Sequence, residues 1–163
     1  MKKLNFGCGT DIKEGWDNVD IQKDKSLTKS FDFDKFPYPI KDNSYDYVYT
    51  RNVLEHLKSP DQSLNELWRV CKSNAIIEIS VPYYNNKGAY SDMQHKHYFS
   101  DSTFICFVNE EKKINKKRKF EIIEIKLIPT NVGKLFPKII RNKIAIFIGG
   151  MIAQVEVRLK VKK

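Results

Sequence analysis

The chain has 163 residues, of which 41% are apolar and 30% charged, with eight Tyr and ten Phe. This length suits one ordinary domain with a core of its own, and the composition excludes a disordered or low-complexity chain. The formal net charge of +9 favours polyanionic partners such as nucleic acid, phosphorylated substrates or an acidic membrane surface, without choosing among them.

From the start, Met1-Lys2-Lys3 leads straight into a strand-like run, Lys3–Phe6, with no apolar stretch of the kind a signal peptide carries. Three cysteines, Cys8, Cys71 and Cys106, make neither a paired framework nor a C-x-x-C spacing. The expected setting is therefore reducing and cytoplasmic. Further strands are predicted at Asn18–Ile21, Ser30–Phe33, Tyr45–Tyr49 and Ala75–Val81, each bounded by Gly, Pro, Asn or Asp. Several carry apolar residues on both faces, as a sheet covered on two sides requires. Pro60 and Asp61 open a helix, Gln62–Cys71, whose Leu64, Leu67, Trp68 and Cys71 form one apolar stripe.

Tyr83–Ser100 reads as a polar, aromatic loop, and Asp101–Asn109 as a short helix burying Phe104, Cys106, Phe107 and Val108. Alternating Phe120–Ile128 and Ala153–Val161 read as strands, with helical material between them only at Pro137–Ile152, so an antiparallel pair closes one edge. The expected architecture is α/β: a three-layer Rossmann-like sheet, mostly parallel, with that antiparallel C-terminal edge pair. A single domain spans residues 1–163, with a cofactor half at about 1–82, a substrate loop at 83–100 and C-terminal strands with a lid-like helix at 101–163.

The strongest local signal is Leu4-Asn5-Phe6-Gly7-Cys8-Gly9 at the end of the first strand. Gly7 and Gly9 permit a sharp turn and close approach of backbone N–H groups to a ligand, although ligand-free tight turns use the same pattern. Asp20 ends the second strand, where a carboxylate accepts hydrogen bonds from ribose hydroxyls. Ten residues separate Gly9 from Asp20, too few for a crossover helix, so the first crossover is shortened to a loop.

These residues resemble the class I S-adenosylmethionine-dependent methyltransferases, and within them a compact group with a G-W-x-N-V-D segment, here Gly15-Trp16-Asp17-Asn18-Val19-Asp20. The resemblance continues through Asp32-Phe33-Asp34-Lys35-Phe36-Pro37-Tyr38, Asp42-Asn43-Ser44-Tyr45-Asp46-Tyr47-Val48, Asn52-Val53-Leu54-Glu55-His56-Leu57 and Glu66-Leu67-Trp68-Arg69-Val70. It implies S-adenosylmethionine as cofactor and S-adenosylhomocysteine as product. Carried over by position, Gly7, Cys8 and Gly9 line the methionine end, Asp20 holds the ribose, Asp32 and Phe33 contact the adenine, and Arg51 and Asn52 border the methyl group, with Phe6 and Ile21 flanking. Where the family has K-P-G-G, this chain has Lys72-Ser73-Asn74-Ala75. Methyl transfer needs no metal, because a sulfonium methyl is already electrophilic.

His95 resembles the histidine of a D-x-x-H-x-x-x-F element of the compact group. It is the candidate general base, with Asp92 to orient it and a loop-ordering role as the plainer alternative. His56 reads as structural, in a helix turn beneath the cofactor. Zinc binding by Cys71, His95, His97 and Cys106 lacks the short paired spacings of such sites. The basic run 112–119 reads as a solvated connector, with nucleic acid a less favoured partner. Segment 134–152 sets Lys134, Lys138, Arg141 and Lys143 among apolar residues too few to span a bilayer. It reads as a helix or lid over the pocket, with peripheral contact to a membrane surface as the second option. The expected activity is methyl transfer to an O or N of a small-molecule or glycan acceptor, a lipid-linked sugar included. The alternative is a non-catalytic nucleotide-pocket or interaction domain docking on a membrane, nucleic acid or partner.

Overall fold

Seven strands, β1 (Lys3–Phe6), β2 (Asp17–Asp20), β3 (Lys29–Ser30), β4 (Tyr45–Arg51), β5 (Cys71–Pro82), β6 (Lys119–Pro129) and β7 (Ile152–Lys162), form one sheet in the computed structural model, which describes residues 1–114 and 119–163. Their order is β3-β2-β1-β4-β5-β7-β6. All pairings from β3 to β5 are parallel, and β7 is antiparallel to both β5 and β6. This is the mostly parallel, Rossmann-like sheet with an antiparallel C-terminal pair that the sequence leads one to expect. The order reverses between β1 and β4, and the crevice beyond the carboxyl ends of strands at such a switch point is where α/β sheets bind ligands.

The helices are α1 (Pro60–Val70), α2 (Lys87–Tyr90), α3 (Asp101–Ile114) and α4 (Lys138–Ile144). Pro at the first position of α1 supplies a preset φ where an N–H has no helical partner. Its Leu64, Leu67 and Val70 are buried, each worth about 2 kcal/mol in apolar burial. The same helix presents Glu66 and Arg69, a pair 2.7 Å apart that pins the preceding loop: Glu66 accepts the Tyr38 N–H at 2.7 Å, and Arg69 donates to the carbonyls of Tyr38 and Ile40.

No described helix lies between β1 and β4. Two devices take its place. Asn5 and Asn18, both buried, satisfy the backbone of the shortened crossover: Asn18 Oδ1 accepts from Lys13 N–H and Asn5 Nδ2, its Nδ2 donates to the carbonyls of Lys13 and Trp16, and Asn5 Nδ2 also donates to Asp11 O. Phe31, Phe33, Phe36 and Tyr38 form an aromatic cluster over Phe6, with Phe6 and Phe33 stacked at 4.0 Å. Phe31 and Phe33 leave the sheet to join it, which is why β3 stops at Ser30 instead of running to Phe33.

The C-terminal strands alternate. Ile77, Ile79, Val81, Val155, Val157, Leu159 and Val161 are buried, while Glu78, Glu156 and Arg158 lie on the other face, where Arg158 meets Glu78 at 3.5 Å. Apolar coverage on both faces therefore does not extend to this end. The helix expected over Pro137–Ile152 is confined to Lys138–Ile144. Beyond it Gly149 packs against Asn85, whose Nδ2 donates to Ala145 O and whose carbonyl accepts from Gly150 N–H. The loop 83–100 contains α2, and residues 115–118 of the basic run lie outside the described residues.

Candidate functional site

At the carboxyl end of β1 the chain turns through Gly7 and Gly9, at φ +72° and +49°. Gly7 and Cys8 donate to Val19 O at 2.9 and 3.1 Å, and Gly9 donates to Asp20 Oδ2 at 2.8 Å. The turn is thus fastened to the neighbouring strand, and Asp20, which also accepts from Gln22 N–H, is held at its lip with lone pairs to spare. Space decides which glycine matters for what. A Cβ on Gly7 would lie 2.2 Å from Val53 Cγ2, whereas one on Gly9 would meet nothing within 4 Å. Gly7 lets the segment after β4 pack against the turn; the amides of Gly7, Cys8 and Gly9 are all spent on Val19 O and Asp20 Oδ2, so what Gly9 leaves a ligand is open space, not the free N–H groups the sequence leads one to expect.

A cleft of ≈ 500 Å³ lies there, lined by Gly7, Gly9, Asp20, Ile21, Asp32 and Phe33 among others. The size suits a nucleoside-sized ligand, and a carboxylate beside an aromatic floor and open glycine backbone fits one bearing a ribose and a flat base. Phe6 and Cys8 are buried and do not line the cleft. Phe6 reaches it through Phe33, and Cys8 presents backbone to the turn. Asp32 Oδ1 is turned to Asp34 N–H, capping the loop that carries Phe33.

A second, larger cleft of ≈ 870 Å³ opens beside the first. Arg51 borders only this one, while Asn52, His56 and Gln94 border both. Asn52 has a left-handed φ of +54°, anchored by its N–H on Ser80 O, a conformation that places its side chain at the junction and that Asn tolerates better than most residues. Gln154 of β7 donates to Asn52 Oδ1 at 3.3 Å.

Behind the junction, Leu54–His56 forms a 3₁₀ turn, and loop 92–97 folds onto it. Lys96 and His97 N–H groups donate to Glu55 O, and Lys96 Nζ donates to His56 O. His95 is held by its Nδ1 against Ala89 O at 2.8 Å. In the neutral ring that contact requires the proton on Nδ1, leaving the Nε2 lone pair free. The orienting role expected of Asp92 falls to Ala89, because the carboxylate of Asp92 turns to Gln94 N–H. Asp92 nonetheless borders the larger cleft.

One cluster here is absent from the sequence reading. Glu55 is only 1% exposed, and neither of its carboxyl oxygens has a hydrogen-bond partner in the protein. Burial pushes its carboxyl up to about 7, against the pull of the nearby His95. His56 lies with its ring 4.7 Å from that of His95, and burial, then the neighbouring imidazole, lowers its pKa. His56 sits in a helical turn, as expected, and lines both clefts. Of the four residues weighed for zinc, only His95 belongs to this group. The signal that would have found it is the Glu55-His56 dipeptide next to a loop histidine, which only the fold brings together.

A family model described as a methyltransferase domain matches residues 7–79. No curated protein matches the chain. Among solved structures, an S-adenosylmethionine-dependent methyltransferase from Archaeoglobus fulgidus is 20% identical, with 98% of this chain and 85% of that one covered and a TM-score of 0.65. One from Mesorhizobium loti is 12% identical, covering 98% and 90% with a TM-score of 0.65. The complex between the Haloferax volcanii Trm112 methyltransferase activator and the putative methyltransferase contains a chain 13% identical, covering 99% and 82% with a TM-score of 0.62. At these identities the likeness speaks for the fold.

Proposed function

We propose that this chain, whose residues 7–79 match a methyltransferase domain, is a class I S-adenosylmethionine-dependent methyltransferase that moves the methyl group to an oxygen or nitrogen of a glycan or lipid-linked sugar at a membrane surface. The observation that carries this reading is the meeting of two clefts at Asn52, His56 and Gln94, one shaped by the glycine turn and Asp20, the other open to a larger molecule. S-adenosylmethionine supplies an activated methyl group, so what remains for the protein is to align an acceptor behind it and take the acceptor's proton.

The residues divide that work. The open turn at Gly9 receives the methionine end, Asp20 accepts hydrogen bonds from the ribose hydroxyls, and Phe33 with Asp32 and Ile21 flanks the adenine. Asn52 stands at the junction where the methyl group crosses, with Arg51 on the acceptor side of it. His95, with Nε2 unprotonated, takes the acceptor's proton, and Asp92 adds negative charge beside it.

Acceptor chemistry follows from the lining of the larger cleft, where Asn52, Asn86, Ser91, Gln94 and Gln154 offer paired donors and acceptors suited to a polyhydroxylated molecule. The membrane part rests on Leu135, Ile139 and Phe147, exposed at 79%, 74% and 86%, set among Lys134, Lys138 and Lys143. Apolar residues with cations around them suit an anionic bilayer interface. The same segment is tied to the cleft wall: Asn85 holds Ala145 and Gly150, and Asn86 Nδ2 donates to Ile152 O. No described helix is long and apolar enough to cross a membrane.

The test is incubation with labelled methyl donor and separated pools of glycans, lipids, RNA and protein. Label in the glycan or lipid-linked sugar pool is expected. Label confined to RNA or protein would overturn the acceptor, and no label from a chain that binds adenosylhomocysteine would favour a non-catalytic pocket.

A further inference from the structure

The geometry points to a binding site for a divalent first-row transition cation formed by Glu55, His56 and His95 at the back of the larger cleft. A carboxylate oxygen of Glu55 and one nitrogen from each imidazole lie within 4.8 Å of one another. Ligands about 2.1 Å from a shared ion stand roughly 3–3.5 Å apart, so modest rotation of the side chains closes the set. All three residues line the same cleft.

Two features beyond proximity indicate a ligand. Both carboxyl oxygens of Glu55 are without a protein partner at 1% exposure, and Nδ1 of His56 is buried without one. Buried polar atoms are almost always paired, and an orphaned carboxyl beside an orphaned imidazole nitrogen is what an ion between them would satisfy. The second feature is preorganisation. Ala89 O receives Nδ1 of His95, leaving Nε2 as the donor atom, the carbonyl–imidazole arrangement that orients metal-bound histidines. The turn bearing Glu55 and His56 is itself fastened by Lys96 and His97.

The donor set selects the ion. Two imidazoles and one carboxylate suit Zn²⁺, Fe²⁺, Co²⁺ or Ni²⁺, whereas Mg²⁺ and Ca²⁺ prefer oxygen donors. Glu55 and the nearby Asp92 offset the double positive charge, against the positive charge of Lys96. Three protein ligands leave coordination positions facing the cleft. The site stands whether or not the methyl-transfer reading does; its consequence for catalysis rests on that reading. In the loaded site Nε2 of His95 would be spent on the ion and unavailable as the base, and the ion would instead make an acceptor hydroxyl at an open position more acidic, its proton passing to water.

The test uses the full chain, stripped with chelator and desalted, titrated with Co²⁺ by visible absorbance and with Zn²⁺ in competition with a chromophoric chelator. One equivalent of saturable binding is expected, with Mg²⁺ failing to displace Co²⁺. Glu55→Gln and His95→Ala should each weaken binding by more than about tenfold, and His97→Ala, outside the cluster, should not. Glu55→Gln is nearly isosteric and His95 lies on a loop, so both variants are informative even where His56→Ala fails to fold. Absence of saturable binding in wild type, or affinity unchanged by Glu55→Gln, would overturn the site. Adenosylhomocysteine binding measured on the same samples separates this outcome from failure of the cofactor reading.

Discussion

The Gly9 amide donates to Asp20 Oδ2 at 2.8 Å, adding a side-chain tie to the backbone bonds that join the turn after β1 to the end of β2. Because the two glycines of that turn meet different surroundings, their substitutions should separate folding from binding. Gly7→Ala drives a Cβ to 2.2 Å from Val53 at φ +72° and should cost about 2–4 kcal/mol in urea unfolding from clash plus left-handed strain. Gly9→Ala meets open space, so it should cost only about 1 kcal/mol while obstructing adenosylhomocysteine. Equal losses of stability in the two variants would contradict this division.

His95→Ala should lower the rate of methyl transfer by about 10²-fold or more, the usual contribution of a general base, and leave adenosylhomocysteine affinity within about twofold. The ring borders the larger cleft and not the smaller one, which is why binding is spared. Turnover kinetics with calorimetry checks this, and unchanged turnover would remove His95 from the chemistry.

Much of the sheet was legible because short apolar runs between Gly, Pro and Asn punctuation carry their own boundaries. Lys3–Phe6 matches β1, and the stripe of Leu64 and Leu67 located α1 to within two residues at its start. The ends of β3 and the extent of α4 were not legible, since Phe31 and Phe33 answer to an aromatic cluster and Gly149 to Asn85, contacts set by tertiary packing. The glycine turn and Asp20 announced themselves locally. The partner of His95 did not: a backbone carbonyl at Ala89 leaves no trace in residue identity, and the Glu55–His56–His95 group exists only once loop 92–97 folds onto the turn.

Thiol chemistry offers a check on packing near the site. Burial pushes the Cys71 thiol up to about 12, and burial and then Asp20 raise that of Cys8, while Cys106 is exposed. Because the thiolate is the reactive form, an alkylating reagent at neutral pH should modify Cys106 alone in the native protein and all the cysteines in denaturant. Rapid native labelling of Cys8 would mean that the turn beneath Gly9 is open.

Ile139→Ser and Phe147→Ser should each reduce binding to vesicles of anionic lipid several-fold, and more together, with melting temperature unchanged because both side chains are already in solvent. Sedimentation with anionic and neutral vesicles measures it. Equal binding by wild type and the double variant would leave the apolar segment without its proposed role.

Calorimetric titration of adenosylhomocysteine into the wild type and Asp20→Ala addresses the cofactor cleft itself. Wild type should bind at one site, and the variant should lose at least about 10²-fold in affinity, the worth of two charge-assisted hydrogen bonds, while melting within about 1 kcal/mol of wild type. A wild type that takes up no adenosylhomocysteine, or a variant that binds it equally well, would contradict the placement of the ribose on Asp20.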